Sequence, residues 1–388
     1  MTDAIKPFAF RTPGSLTVEW GGSHRLGELM SGWFKARRLL IVTDRFLSES
    51  GMLDPVITSL RGHGFEVTIF DDVVADPPEA IVESCAAMGR DRVCDVVLGL
   101  GGGSSMDIAK LAAVLLMARQ PLSDLYGIDR VTGGRVPLMQ VPTTAGTGSE
   151  VTNITILTTG RTTKMGVVAP QLYADHVLLD AQLTVGLPPL QTAATGIDAM
   201  VHAIEAYTGR HKKNPLSDVF AREALRLLAN NLVTASQDGG NRAAREAMLL
   251  GANLAGQAFS NSPVAAVHAL AYPLGGHFHL PHGLTNALML GPVLRLNMTE
   301  AAPLYAELAD VVMGPSDEGT QGRAARFVDF IEDLMNRSGA PRRLRDVKVP
   351  QDSLPMLARD AMLQTRLLVN NPVEVDEATA LRLYQDAY

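Results

Sequence analysis

Four short apolar runs alternate with helix-length stretches in the first half of the sequence. The runs cover residues 39–44, 66–70, 96–100 and 138–141. Strands that are apolar on both faces are typical of a parallel sheet buried beneath helices. The intervening stretches are long enough for crossover helices, so the pattern predicts right-handed βαβ units. An alternating run at 16–20 predicts an additional edge strand.

The pattern changes after about residue 185. Long helical patterns, rich in Ala and Leu, cover residues 192–207, 217–235, 242–259 and 323–337. They lack the short β-branched runs of the first half, which favours helices packed on helices. The sequence therefore predicts an α/β domain over residues 1–185 and an all-α domain over residues 186–388.

Charge and cysteine content narrow the function classes. The formal net charge is −7, and a protein that binds nucleic acid needs a basic face to neutralise phosphates. No apolar run reaches the roughly 18 residues of a membrane span. The two cysteines, Cys85 and Cys94, cannot form a disulfide framework. We expect a cytoplasmic protein that acts on small molecules, without a nucleic-acid or membrane partner.

A glycine-rich turn follows the third apolar run and opens a predicted helix. Glycines let the backbone approach a ligand closely, and the N–H groups at a helix N-terminus attract anions. The spacing is not GxGxxG, and the turn does not follow the first strand, so it is not an ordinary Rossmann fingerprint. We expect Gly101, Gly102, Gly103 and Ser104 to bind a pyrophosphate. A tight strand-to-helix turn is the alternative.

Two further strand ends carry polar residues. Asp44 ends the first βαβ strand, where an acid can accept both ribose hydroxyls and repel a 2′-phosphate, which favours NAD over NADP. Asp44 could equally cap the next helix. Thr143, Thr144 and Thr147 follow the fourth run. They could donate to a phosphate or a nicotinamide, or bond to their own backbone.

Four residues of the second half form a candidate metal-binding set. Asp198 and His202 are four apart on a predicted helix and share one face. His268 lies in an apolar segment, and His282 lies between a proline and a glycine. One carboxylate and three imidazoles suit Fe(II), Zn(II) or a similar cation. Glu205 could orient these ligands without binding the metal itself. The alternatives are a surface hydrogen bond for the Asp/His pair and a core position for His268.

Two more histidines, His277 and His279, precede the last of these residues. They share a face if the segment is extended and lie on different faces if it is helical. We expect one of them to line the site.

Taken together and in order, these motifs resemble the iron-containing (group III) alcohol dehydrogenases, the family of lactaldehyde:propanediol oxidoreductase. The matching residues are Gly101, Gly102, Gly103 and Ser104 with Asp107 and Lys110, then residues 142–147, then residues 196–199, then His268 and residues 281–283.

The resemblance implies a dehydroquinate synthase-like architecture, with a dinucleotide-binding α/β domain, a helical domain and a cleft between them. It implies a metal held by Asp198, His202, His268 and His282. It implies a homodimer formed through the strand around residues 16–20. The cofactor contacts that it implies are Asp44, Gly101, Gly102, Gly103, Ser104, Asp107, Thr143, Thr144, Thr147 and Lys164.

One departure from the family concerns Tyr272, which stands where several relatives carry an active-site histidine. A tyrosine can relay a proton or donate a hydrogen bond, but it ionises less readily at neutral pH. We predict Tyr272 and His277 as the catalytic residues and leave the proton route open.

The expected activity is hydride transfer between a small alcohol and nicotinamide, with Fe2+ or Zn2+ as the Lewis acid and NAD favoured over NADP. Phe259, Val264 and Leu270 suggest an apolar lining and an uncharged substrate. One alternative is a lyase of the dehydroquinate synthase type, which would need basic residues near its ligands, whereas residues 261–293 contain no Lys or Arg. Another is a hydroxyacid-oxoacid transhydrogenase with bound NAD.

Overall fold

The computed structural model describes residues 6–118, 120–160 and 163–388. They form two units: Thr12–Gly186, and Leu187–Tyr388 together with the N-terminal residues up to Arg11. The division made from the sequence placed those N-terminal residues with the α/β domain. They join the helical unit because Asn261 exchanges hydrogen bonds of 2.8 and 2.9 Å with the backbone of Arg11. The ring of Phe10 also stacks on Phe220 at 5.6 Å.

The strands of the first unit form two sheets. A six-stranded parallel sheet has the order β1-β9-β6-β4-β2-β3, and a small sheet has the order β5-β8-β7. The four apolar runs and the edge strand are confirmed, whereas β9 and the small sheet were not predicted. The strands are β1 Ser15–Val18, β2 Arg38–Asp44, β3 Glu66–Val73, β4 Val96–Gly101, β5 Gly127–Ile128, β6 Leu138–Pro142, β7 Ile154–Thr159, β8 Thr163–Val168 and β9 His176–Leu179.

The register of the central strands positions the predicted cofactor residues. Val42 pairs with Gly99, and Gly101 pairs with Pro142, so β2, β4 and β6 end at the same edge of the sheet. All residues of β4 and β6 are buried, as expected for strands covered on both faces. The helices of this unit are α1 Leu26–Trp33, α2 Arg45–Glu49, α3 Asp54–Gly62, α4 Glu79–Asp91 and α5 Gly103–Leu115.

The second unit is helical, and its described residues contain no strand. Its central helix, α6, packs against α7, α8 and α10. No helix in the described part of the chain has the length and apolar character needed to cross a membrane. The helices are α6 Pro189–Thr208, α7 Pro215–Gln237, α8 Arg242–Asn261, α9 Ala266–Phe278, α10 His282–Met313, α11 Thr320–Ser338, α12 Leu354–Ala361, α13 Thr365–Leu368 and α14 Glu377–Asp386.

Two glycines allow close approach to α6. A Cβ atom on Gly196 would lie 2.5 Å from both Leu232 Cδ1 and Met248 Cε, so this glycine lets α7 and α8 pack closely. A Cβ atom on Gly283 would lie 2.5 Å from the carbonyl oxygen of Ala194. The start of α10 therefore lies directly against the backbone of α6.

Candidate functional site

Four predicted ligands converge where α6, α9 and α10 meet. The Oδ1 atom of Asp198 lies 3.7, 3.8 and 3.6 Å from the Nε2 atoms of His202, His268 and His282. The four ligand atoms lie within 4.8 Å of one another. Ligands around a tetrahedral ion with bonds of about 2.1 Å lie about 3.4 Å apart. The carboxylate and the three imidazoles therefore fit a single divalent cation.

Local structure explains how these ligands are presented. The four-residue spacing of Asp198 and His202 puts both on one face of α6, as predicted. His268 lies in the first turn of α9, and His282 is the first residue of α10 after Pro281. The side chains of the first three are almost fully buried, whereas that of His282 is 36% exposed. A ligand could therefore reach the ion on the side of His282.

The Glu205 carboxylate contacts His268 at Nδ1, on the opposite side of the ring from the Nε2 atom that faces Asp198. Its Oε2 atom lies 2.7 Å from Nδ1 of His268 and accepts a 2.9 Å bond from the backbone N–H of Ala265. Its Oε1 atom accepts a 2.7 Å bond from the N–H of Val267. Because a carboxylate oxygen accepts, Nδ1 of His268 keeps its proton and donates it in this hydrogen bond, so the lone pair of Nε2 is left for a metal. The contact agrees with the supporting role suggested for Glu205.

Asn286 also contacts the ligand group, and the sequence analysis did not identify it. Its Nδ2 atom lies 2.6 Å from Oδ1 of Asp198, 3.2 Å from Nε2 of His268 and 3.3 Å from Nε2 of His282. Asn286 is fully buried on α10. Its position four residues after His282 is the signal that could have revealed it, because that spacing puts both on one helix face.

The Asp198 carboxylate has a lowered pKa. Burial alone raises the pKa of this group, but the three imidazoles and the hydrogen bond from Asn286 outweigh burial and bring the pKa below its usual value. Asp198 is therefore ionised at neutral pH and supplies a negative charge to a cation.

Aromatic and apolar side chains surround the ligands. Phe259 stacks on His202 with ring centroids 4.3 Å apart, and the ring of Tyr272 lies 5.9 Å from that of His282. Both rings pack against a small apolar cluster that contains Val264. Leu270, expected in the lining, is instead fully buried, and its carbonyl accepts a hydrogen bond from Tyr384.

The two remaining histidines of this segment lie outside the ligand group. Nε2 of His277 lies 2.6 Å from Oδ2 of Asp360 on α12, and its side chain is 23% exposed. His279 follows the end of α9 with a φ of 54° and is exposed.

The two polar turns of the first unit pack against each other. The N–H of Thr143 donates to the carbonyl of Gly101 at 2.9 Å. A Cβ atom on Gly103, the first residue of α5, would lie 2.8 Å from Cγ2 of Thr147, and one on Gly102 would lie 3.8 Å from Cγ2 of Thr144. The glycine turn and the threonine turn therefore form one continuous polar surface at the N-terminus of α5.

Asp44 caps a helix. Its Oδ1 atom accepts a 3.0 Å bond from the N–H of Leu47 in α2, which is the alternative considered from the sequence. Two more acids lie on the neighbouring strand β3: Asp71 accepts a bond from Ser48, and Asp72 pairs with Arg45. The end of β2 is therefore an acidic region.

Asp107 and Lys110 belong to a buried network. The Asp107 carboxylate accepts bonds from Ser149 Oγ at 2.5 Å and from the N–H of Ile156 at 3.0 Å, and it pairs with Lys110 at 3.3 Å. These contacts tie α5 to the chain after the threonine turn. Asp107, which we predicted to contact the cofactor, therefore already has three partners within the protein.

Lys164 lies on β8 with its side chain 9% exposed. Its Nζ atom forms an ion pair with Oδ1 of Asp76 at 2.5 Å. The predicted cofactor lysine is thus held in place by an acid of the same unit.

Comparison with known proteins gives the same family over almost the whole chain. Residues 13–181 match the family model of iron-containing alcohol dehydrogenase, and residues 192–388 match the C-terminal model of the Fe-containing alcohol dehydrogenase family. The chain is 40% identical over 357 residues to long-chain-alcohol dehydrogenase 1 of Geobacillus thermodenitrificans, which covers 91% of this chain and 90% of that protein.

Two further relatives agree. The chain is 32% identical over 329 residues to the NAD-dependent methanol dehydrogenase of Bacillus methanolicus, covering 84% of this chain and 86% of that one. A crystal structure of 1,3-propanediol oxidoreductase superposes with a TM-score of 0.94 at 33% identity and covers 99% of this chain and 100% of that one. The dehydroquinate synthase-like architecture expected from the sequence is confirmed.

Proposed function

The chain belongs to the iron-containing alcohol dehydrogenase family, and we propose that its substrate is a small, uncharged alcohol or the corresponding aldehyde. As a member of that family it is an oxidoreductase, and the lyase and transhydrogenase alternatives have no comparable support. The observation that carries the proposal is the convergence of three Nε2 atoms within 3.8 Å of Oδ1 of Asp198.

The proposed metal ligands are Asp198, His202, His268 and His282. Fe2+ is the ion that the family favours, and Zn2+ suits the same donors. A divalent ion held there lowers the pKa of an alcohol hydroxyl and polarises a carbonyl, while nicotinamide carries the hydride. The chain supplies one negative charge from Asp198 and fixes the tautomer of His268 through Glu205.

We propose that the side chain of Tyr272 binds the proton of the substrate's hydroxyl group. Its ring is 5.9 Å from that of His282, the most exposed ligand, and its hydroxyl can both donate and accept. A catalytic role for His277 remains a prediction: Asp360 orients its ring, and the half-buried pair could pass a proton to solvent.

NAD is the proposed cofactor, bound by the surface that Gly101, Gly102, Gly103, Ser104 and the threonine turn form. The N–H groups at the start of α5 suit a pyrophosphate. Asp44 and Asp71 near the end of β2 would repel a 2′-phosphate, whereas Asp72 is already paired with Arg45. Asp44, Thr143, Thr144, Thr147, Asp107 and Lys164 complete the proposed set.

The apolar surroundings of the ligands support an uncharged substrate. Phe259, Val264 and Tyr272 lie near the metal-binding set, and residues 261–293 contain no Lys or Arg that would bind an anionic substrate. The relatives named above act on long-chain alcohols, methanol and 1,3-propanediol.

A homodimer and a cytoplasmic setting are also proposed. Among the described residues, the edge strand β1 pairs with β9 alone, and Leu16 and Val18 on it are 38% and 55% exposed. A second copy could cover that edge. The unpaired, buried thiols of Cys85 and Cys94 suit a reducing compartment.

Metal analysis combined with an aldehyde panel tests the function. We expect the purified protein to contain iron or zinc and to oxidise NADH with short aldehydes. His282→Ala should lose both metal and turnover, while His211→Ala, which changes an exposed histidine, should keep both. Full activity in a metal-free His282→Ala protein would refute the proposed site. Turnover that needs two substrates but no free cofactor would instead indicate a transhydrogenase.

A further inference from the structure

We propose that Asn286 is a positioning residue of the metal centre, which holds Asp198 in the orientation that a cation requires. The inference rests on the ligand set proposed above. Asn286 is not one of the four ligands, yet its amide nitrogen lies within 3.3 Å of three of them.

The orientation of the amide follows from hydrogen-bond geometry. Only 2.6 Å separate Oδ1 of Asp198 from the amide of Asn286. The opposite orientation would place an amide oxygen at that distance from a carboxylate oxygen, which is repulsive. The nitrogen therefore faces Asp198 and donates a hydrogen bond to its Oδ1, because an amide N–H is a donor and a carboxylate oxygen is an acceptor.

The amide oxygen of Asn286 shows that packing alone does not explain why an asparagine lies at this position. Asn286 is fully buried, and its Oδ1 atom has no hydrogen-bond partner among the described residues. A buried, unsatisfied carbonyl destabilises a protein, and an apolar side chain of similar size would avoid that cost. The contacts of its nitrogen are therefore what the amide contributes that an apolar side chain could not.

Those contacts restrict the carboxylate. A carboxylate oxygen has two lone pairs, so the N–H of Asn286 can occupy one while the other faces the three Nε2 atoms. Asn286 lies one turn after His282 on α10, so the donor moves with that ligand as part of one rigid helix. Without the donor, the carboxylate could rotate away from the imidazoles.

The test compares Asn286→Ala and Asn286→Leu with a control on the same helix, Asn297→Ala. Asn297 is also buried, and it exchanges bonds of 3.0 and 2.8 Å with Asn371 away from the ligands. Affinity for Co2+ is measured by competition with a chelator, and the Co2+ absorption spectrum reports the ligand geometry. We expect both Asn286 variants to bind Co2+ about 10- to 100-fold more weakly, with an altered spectrum.

The control should lose stability but keep the affinity and spectrum of the unmodified protein. If Asn286→Ala does not fold, Asn286→Leu, which fills the space without a donor, still gives the answer. Unchanged affinity and an unchanged spectrum in a folded Asn286 variant would overturn the inference. If instead the unmodified protein binds no Co2+, or His282→Ala binds it normally, the proposed ligand set itself fails.

Discussion

The carboxylate of Glu205 accepts a hydrogen bond from Nδ1–H of His268 at 2.7 Å and two more from backbone N–H groups at 2.9 and 2.7 Å. In Glu205→Gln, the new amide nitrogen would face at least one of these three donors. We expect metal affinity about 10- to 100-fold lower and a free energy of unfolding lower by about 1–3 kcal/mol. Chelator competition and urea denaturation measure the two effects. Glu223→Gln, on the surface of α7, is the control, and equal affinities in the two variants would contradict the prediction.

The contact between α10 and α6 requires a glycine at position 283. In Gly283→Ala the new methyl group would lie 2.5 Å from the backbone oxygen of Ala194, so the helices must separate. Overpacking of this kind costs about 1–3 kcal/mol, which denaturant unfolding measures. In Gly275→Ala on α9 the methyl group would lie 3.7 Å from its nearest neighbour. We expect that variant to be at least as stable as the unmodified protein; similar losses in both would argue against the steric explanation.

The buried amine of Lys110 stabilises the chain that follows the threonine turn. Its Nζ atom donates to Ser149 Oγ, Thr152 Oγ1 and the carbonyl of Ile154 at 2.8–3.0 Å. In Lys110→Met these acceptors and Asp107 lose their partner. We expect about 3–5 kcal/mol of destabilisation and weaker binding in an NADH fluorescence titration. Lys212→Met, at an exposed position, should change neither quantity. Normal NADH binding in a folded Lys110→Met protein would refute the link to the cofactor surface.

The imidazole of His176 makes the stability of the first unit depend on pH. Its ring stacks on Trp33 at 4.1 Å, and burial lowers its pKa below the ordinary 6.5, although Asp175 opposes the shift. Below about pH 6.5 the unfolded chain therefore binds a proton that the folded chain does not, and stability falls until the pH reaches the folded pKa. His176→Phe keeps a ring but cannot titrate, so its unfolding free energy should change less between pH 7 and pH 5. If the unfolding free energies of the unmodified protein and of His176→Phe changed equally with pH, the prediction would be contradicted.

We predict that the charge of Asp44 sets the preference between NAD and NADP. Asp44→Ser keeps a residue that can cap α2 but removes the negative charge. We expect a lower KM for NADPH and a higher KM for NADH, measured by NAD(P)H absorbance with one aldehyde. Asp91→Asn, which changes the exposed last residue of α4, should leave the ratio unchanged. A preference for NADPH in the unmodified protein would show that Asp44 does not select the cofactor.

Local patterns in the sequence determined the elements and part of the site. Apolar runs of four to six residues predicted strands, and β4 and β6 are buried throughout, because a strand covered on both faces needs apolar residues at every position and not only at alternate ones. The four-residue spacing of Asp198 and His202 placed them on one helix face, because 3.6 residues make a turn. Glycines at a strand end predicted the turn that opens α5.

Only the tertiary structure decided which distant groups meet. His282 joins Asp198 because Gly283 lets α10 pack closely on α6, and His268 joins them because α9 packs against α10; no local spacing encodes that approach. The same packing turns Asn286 toward the ligands. It also places His277 against Asp360, outside the ligand group. Side-chain contacts across helices depend on crossing position and on which side chains are small, and both are properties of the packed chain.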